Sequence, residues 1–190
     1  MDVRRKAAYV AAPILLVFSS GLQAAEPIAT ADLPAIVVRV DNVAGVRPVL
    51  LPFVDGGAAF AVRRAADGAA VRLALPACQE VLADFSSVSG EPLATILVTR
   101  GITPTEAFSR IRFADDSTAP QCRVGTTLAF TQPGSTVVRI CGLQFRTHFD
   151  RDRRATEIIL IHEFLHTIGL GENPPSSREI TERAAARCAG

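Results

Sequence analysis

Past residue 9 this sequence has no lysine, no methionine and no tyrosine, and it has no tryptophan at all. Lys6, Met1 and Tyr9 are the single examples of their types. Any site in the rest of the chain must work without a phenol, a thioether or a lysine amine. An excess of one charge is also missing. The formal net charge is +1, which leaves no electrostatic case for nucleic acid or an anionic membrane surface as a partner. Cysteine is sparse: Cys78, Cys122, Cys141 and Cys188 include no CxxC pair, which excludes a zinc ribbon and a dithiol redox motif.

What is present begins with a leader. Arg4, Arg5 and Lys6 form a basic start, Ala7 to Phe18 an apolar run, and Gly21-Leu22-Gln23-Ala24-Ala25 a small-residue exit. That order is the pattern of a secretory signal peptide, here residues 1–24. The apolar run is short for a membrane span, and no cysteine follows Leu22 where lipoprotein processing needs one. Loss of Asp2, Arg4, Arg5 and Lys6 takes the net charge from +1 to −1. We expect a secreted or periplasmic monomer with no membrane attachment after cleavage. About 165 residues remain, enough for one domain with a single core. In an exported chain four cysteines favour two disulfides. Three pairings are open. Cys122 and Cys141 flank a hairpin-like stretch, which favours Cys122 with Cys141 and Cys78 with Cys188.

Hydrophobic patterning predicts mixed α and β structure. Ile36 to Val40, Ala58 to Arg63 and Ala69 to Leu75 read as short strands, separated by turn signals at Asp41-Asn42, Gly56-Gly57 and Asp67-Gly68. Residues 25–75 are thus expected as N-terminal strands: a propeptide, a subdomain or further strands of the main sheet. Ala77 to Phe85 places Val81, Leu82 and Phe85 on one helical face behind Pro76. Leu93 to Thr99 reads as a buried strand and Phe108 to Phe113 as an alternating one. Thr126 to Phe130 and Thr136 to Cys141 flank the turn Gln132-Pro133-Gly134-Ser135. The charged stretch Arg146 to Arg154 reads as a solvated loop.

From Ala155 to Ile168 no glycine or proline interrupts a run whose apolar residues surround the helix on most sides. Such a helix is buried against other elements. Within it stand His162, Glu163 and His166, whose burial needs compensating partners. A bound cation supplies one. At i and i+4 the two imidazoles share a face, so both can reach one tetrahedral zinc, and Glu163 can face a water on the same ion. Gly169 falls where the helix must end, because glycine takes the left-handed turn that closes the last carbonyls. Glu172 then returns beneath the helix, completing HExxHxxGxxE.

His162 to Glu172, HEFLHTIGLGE, resembles the zinc signature HExxHxxGxxH of the metzincin metallopeptidases, the matrixin-like ones most closely. Ile111 to Asp115, Leu128-Ala129-Phe130 and Pro133-Gly134 resemble the strand and bulged segment that precede the active-site helix there, and Ser177 to Cys188 their C-terminal helix. The favoured cysteine pairing resembles that of astacin-type members. Two features depart from the pattern: Glu172 stands where the family has histidine or aspartate, and with Met1 the only methionine there is no methionine turn. The resemblance implies a single α+β domain over residues 76–190, with a twisted mixed sheet packed on an active-site helix and a second helix, and a short C-terminal helix. It further implies zinc held by His162, His166 and Glu172, a peptide or protein substrate running along the Thr126 to Phe130 edge, and peptide hydrolysis with Glu163 as the base.

Other readings of these residues remain open. Glu179 and Glu182 are rival third ligands, since some zinc peptidases take a glutamate from a later helix. Glu163 could pair with an arginine such as Arg154, and His148 reads as a surface histidine. The alternative to a peptidase is a zinc-stabilised, inactive homologue that binds a peptide or protein. Glu163 argues against it, because a structural metal has no use for a neighbouring base.

Overall fold

Asp55 opens the first helix by accepting the Gly57 N–H at 2.8 Å, and an alanine-rich run then continues without interruption through α1 (Gly56–Leu73). The computed structural model describes residues 47–188 and Gly190; the leader and the expected strand Ile36 to Val40 lie outside the described residues. The two strands expected within Ala58 to Leu75 are corrected by α1. Ala58, Ala61, Val62, Ala65, Ala66, Ala69 and Leu73 are buried at helical spacing, and alanine, the best helix former, outweighs the turn signal of Asp67-Gly68.

Two further expected strands give way to helices. Leu93 to Thr99 forms α3 (Leu93–Thr99), following α2 (Pro76–Gln79) and a 3-10 turn at Glu80–Leu82. Leu93, Ile96 and Leu97 are buried while Val98 is 79% exposed, a period of three and four rather than two. Pro92 supplies the fixed φ at the helix entrance. Phe108 belongs to α4 (Pro104–Ser109), which opens on a capping box between Thr103 and Glu106. Only the end of the expected alternating strand survives, as β2 (Arg112–Asp115). The stretch expected as a loop, Arg146 to Arg154, is mostly helical as well. Phe145 and Phe149, four apart and buried, anchor α5 (Gly142–Arg151) while its charges face outward.

The hairpin stands where expected: β3 (Ala129–Phe130) pairs antiparallel with β4 (Val137–Ile140) across Gln132 to Ser135. With β1 (Val49–Leu50) the strands form one mixed sheet in the order β1-β2-β4-β3, in which β1, β2 and β4 are parallel and β3 is an edge. The remaining helices are α6 (Arg153–Ile168), which begins on the Asp152 side chain, and α7 (Ser177–Cys188). This mixed α+β core is one unit, in which Ala61 to Leu73 of α1 share a cluster with Phe113, Phe145 and Phe164. Phe108 meets Phe113 and Phe164 edge to face, with ring centroids at 6.2 and 5.7 Å. Each fully buried ring stabilises by about 1.5–3 kcal/mol. The disulfides are Cys78–Cys188 and Cys122–Cys141, the favoured pairing; the first ties α2 to α7 and the second clips the segment before β3 to the end of β4.

Candidate metal centre

α6 is packed on most of its sides: Ile158, Leu160, Ile161, Phe164, Leu165 and Ile168 are all buried. His162, Glu163 and His166 are buried in the same wall, at 3%, 5% and 4% exposure. The i, i+4 spacing sets the two rings side by side on one face, tilted by 60° with centroids 4.9 Å apart. Their Nε2 atoms are 3.0 Å apart.

The partners of the other ring nitrogens fix the tautomers. The Thr181 hydroxyl donates to the Ser177 carbonyl at 3.0 Å, so its oxygen accepts from His162 Nδ1 at 2.9 Å. Leu170 O, a carbonyl that can only accept, takes the His166 Nδ1–H at 2.8 Å. Each neutral ring therefore turns an Nε2 lone pair toward the other. Two facing lone pairs at this distance repel unless a cation lies against both. A proton is a poor candidate, because burial first and His166 second push the His162 pKa down to about 3. Two nitrogens bound tetrahedrally at about 2.0–2.1 Å from one ion stand about 3.3 Å apart, close to the spacing here.

The Glu172 carboxylate completes the set. The ligand atoms of His162, His166 and Glu172 all lie within 4.8 Å of one another, so the three residues form a group able to hold a metal ion. Gly169 makes the return possible. Its φ of +131° ends α6, and a Cβ there would stand 3.2 Å from the Ser87 Cβ. Leu170 then bridges to Ser87 while its carbonyl holds His166.

Glu163 is the odd member. Its Oε2 is buried without a partner. Burial, and secondarily the charge of Glu172, push its pKa up to about 8. It faces a cleft of about 630 Å³, walled on one side by Thr126 to Ala129 and on the other by Ser177, Thr181 and Ala185 of α7. A carboxylate left unpaired beside three metal-capable groups fits the position of a proton acceptor for a water in the cleft.

The rival assignments fall elsewhere. Glu182 pairs with Arg178 at 2.8 Å and Glu179 with Arg183 at 3.7 Å on the exposed face of α7, so neither joins the group. Arg154 makes no ion pair with Glu163. The buried pair of this helix is Arg72 with Glu157, at 2.7 Å. His148 lines the cleft from α5, outside the metal-capable group. Thr181 escaped the sequence reading, since nothing in Glu179-Ile180-Thr181-Glu182 marks a hydroxyl that will meet a histidine 19 positions earlier. Ser177, Thr181 and Ala185 of α7 wall this side of the site.

Compared with protein-family models, with curated proteins and with solved structures, the chain matches none. The chemistry of the site therefore rests on its own geometry.

Proposed function

We propose that this chain is an exported zinc endopeptidase. The observation that carries the reading is the pair of opposed Nε2 lone pairs of His162 and His166, with the Glu172 carboxylate beside them and the unpartnered Glu163 carboxylate facing the cleft. Two imidazoles and one carboxylate are a donor set that suits zinc and leaves a coordination position open. A structural site would instead be closed by protein ligands and would not need a buried base.

Zinc bound there supplies Lewis-acid polarisation of a water and of a substrate carbonyl. The chain's own residues do the rest. His162 and His166 keep their lone pairs aimed inward because Thr181 and the Leu170 carbonyl hold the opposite ring nitrogens. Glu163 accepts a proton from the attacking water and passes it to the departing amine. The β3 edge, together with Thr126 and Thr127 before it, offers unpaired backbone groups on which an extended peptide can lie. No tyrosine follows Tyr9, so stabilisation of the oxyanion by the chain falls to backbone N–H groups along that edge. Two disulfides suit an oxidising compartment.

The test is elemental analysis of the purified protein, with cleavage of a denatured protein assayed beside Glu163→Gln and Glu172→Ala. One zinc per chain, lost with Glu172→Ala, and cleavage abolished by Glu163→Gln without loss of zinc would support the reading. Zinc without cleavage would move it to a peptide-binding protein, and a chain that takes up no metal would overturn it.

A further inference from the structure

The end of the cleft remote from the metal-capable group carries an arginine. Arg154 and His148 line it. It continues past Thr126, Leu128 and His148 into a second hollow of about 450 Å³, lined on its far side by Arg151. Among the described residues neither Arg151 nor Arg154 forms an ion pair, and several other exposed arginines, Arg63 and Arg123 among them, form none either. One carboxylate also lines this end: Asp152 caps α6 through the Ala155 N–H at 2.9 Å and keeps its negative charge.

Helix stability does not explain Arg154. The first turn of α6 holds no acidic residue, although the positive end of a helix dipole favours acids and disfavours arginine there. Arg153, its neighbour, is accounted for by packing over the Phe149 ring at 5.0 Å. Arg154 brings a guanidinium without an ion pair to the mouth of an open trough, and such a group attracts a carboxylate.

We infer that the cleft selects peptides with an acidic side chain, held by Arg154, at a set distance from the bond to be cut. That a bond is cut rests on the peptidase reading above; the charge selection rests on the trough alone. Glu163 stands nine residues after Arg154 on the same helix, about 13 Å along its axis. An extended peptide rises about 3.3 Å per residue, so the acidic residue lies about three or four positions from the scissile bond. Arg151 extends the same preference to a second acidic residue further out.

The test uses the full chain loaded with zinc and a series of matched, dye-labelled peptides in which one position is Asp, Asn or Lys, the position moved residue by residue. Cleavage rates are measured for the wild type, Arg154→Lys and Arg154→Glu, and binding is measured by fluorescence anisotropy with Glu163→Gln, which needs no turnover. Expected is a preference for Asp over Lys of about fivefold or more at low salt, confined to one or two positions, kept by Arg154→Lys and reversed by Arg154→Glu. Acid-selective binding by Glu163→Gln without cleavage by the wild type would sink the peptidase reading and leave this inference standing. Cleavage or binding indifferent to peptide charge, or a preference unchanged in Arg154→Glu, would overturn the inference and leave the peptidase reading intact.

Discussion

Thr181 of α7 accepts the Nδ1–H of His162 at 2.9 Å, and it can do so because its own hydroxyl proton goes to the Ser177 carbonyl one turn earlier at 3.0 Å. A residue that touches no metal thus decides which ring nitrogen of His162 is free to bind one. Groups in this position are worth about 10- to 100-fold in metal affinity. We expect Thr181→Val to weaken zinc binding by that factor, measured by competition with a chromophoric chelator, and Thr181→Ser to retain it. Equal affinities for Thr181→Val and the wild type would show that packing alone orients the ring.

Glu163 makes the metal-free chain sensitive to pH. Its folded pKa, raised to about 8 by burial and by Glu172, lies above its ordinary 4.5. The fold therefore favours the protonated carboxyl: its contribution is full below pH 4.5 and is lost as pH rises toward 8. His162 acts in the opposite sense. Lowered from 6.5 to about 3 by burial and by His166, it costs stability as pH falls from 6.5 toward 3. In the presence of a chelator, Glu163→Gln should gain on the wild type by up to about 1.4 kcal/mol per pH unit between pH 4.5 and 8. Thermal melts of the two proteins across that range would show it, and a constant gap would mean that the carboxylate finds water or a partner in solution.

Why the site was legible in the sequence while half of the fold was not follows from the range of the interactions involved. His162, Glu163, His166, Gly169 and Glu172 lie within eleven residues, and one helix with its glycine exit brings them together. The hairpin was legible for the same reason, its turn being local. Leu93 to Thr99 failed as a strand because its apolar, partly β-branched composition suits either element. Burial of Leu93, Ile96 and Leu97 against the core, with Val98 left in solvent, decided for a helix. Thr181 and the Arg72 to Glu157 pair were invisible, since their partners lie 19 and 85 residues away.

The Cys78–Cys188 bridge spans 110 residues and holds α7 in place. Arg187 adds contacts to Asp84 and Glu80 at 3.0 and 2.6 Å, and Arg72 reaches the Cys188 carbonyl at 2.7 Å. Closing a loop of that size is worth about 4–5 kcal/mol on the chain-entropy model. Replacing both cysteines by serine should lower the denaturant midpoint accordingly. Zinc affinity should fall as well, because the helix that carries Thr181 is then less firmly held. Loss of stability with zinc affinity unchanged would show that Ile180 and Ala184, both buried, suffice to seat α7.

Gly68 offers a prediction whose sign runs against propensity. It lies inside α1, where alanine is favoured over glycine by about 1 kcal/mol, so an isolated helix would gain from Gly68→Ala. In the protein an added Cβ would run into the carboxylate of Glu157. That side chain has little room to retreat. It is only 10% exposed and takes the Arg72 Nε–H at 2.7 Å, while the same guanidinium also holds the Cys188 carbonyl. Displacing Glu157 would strain or break a nearly buried ion pair, at a cost of about 3–5 kcal/mol if one partner is left alone. We therefore expect Gly68→Ala to be destabilising by about 2 kcal/mol or more in chemical denaturation, after its propensity gain is counted. The double variant with Glu157→Ala should lose less stability than the sum of the two single losses, since both remove the same interaction. A Gly68→Ala protein more stable than the wild type would mean that Glu157 swings out at little cost, and that the link from α1 through Arg72 to the end of α7 is looser than its distances imply.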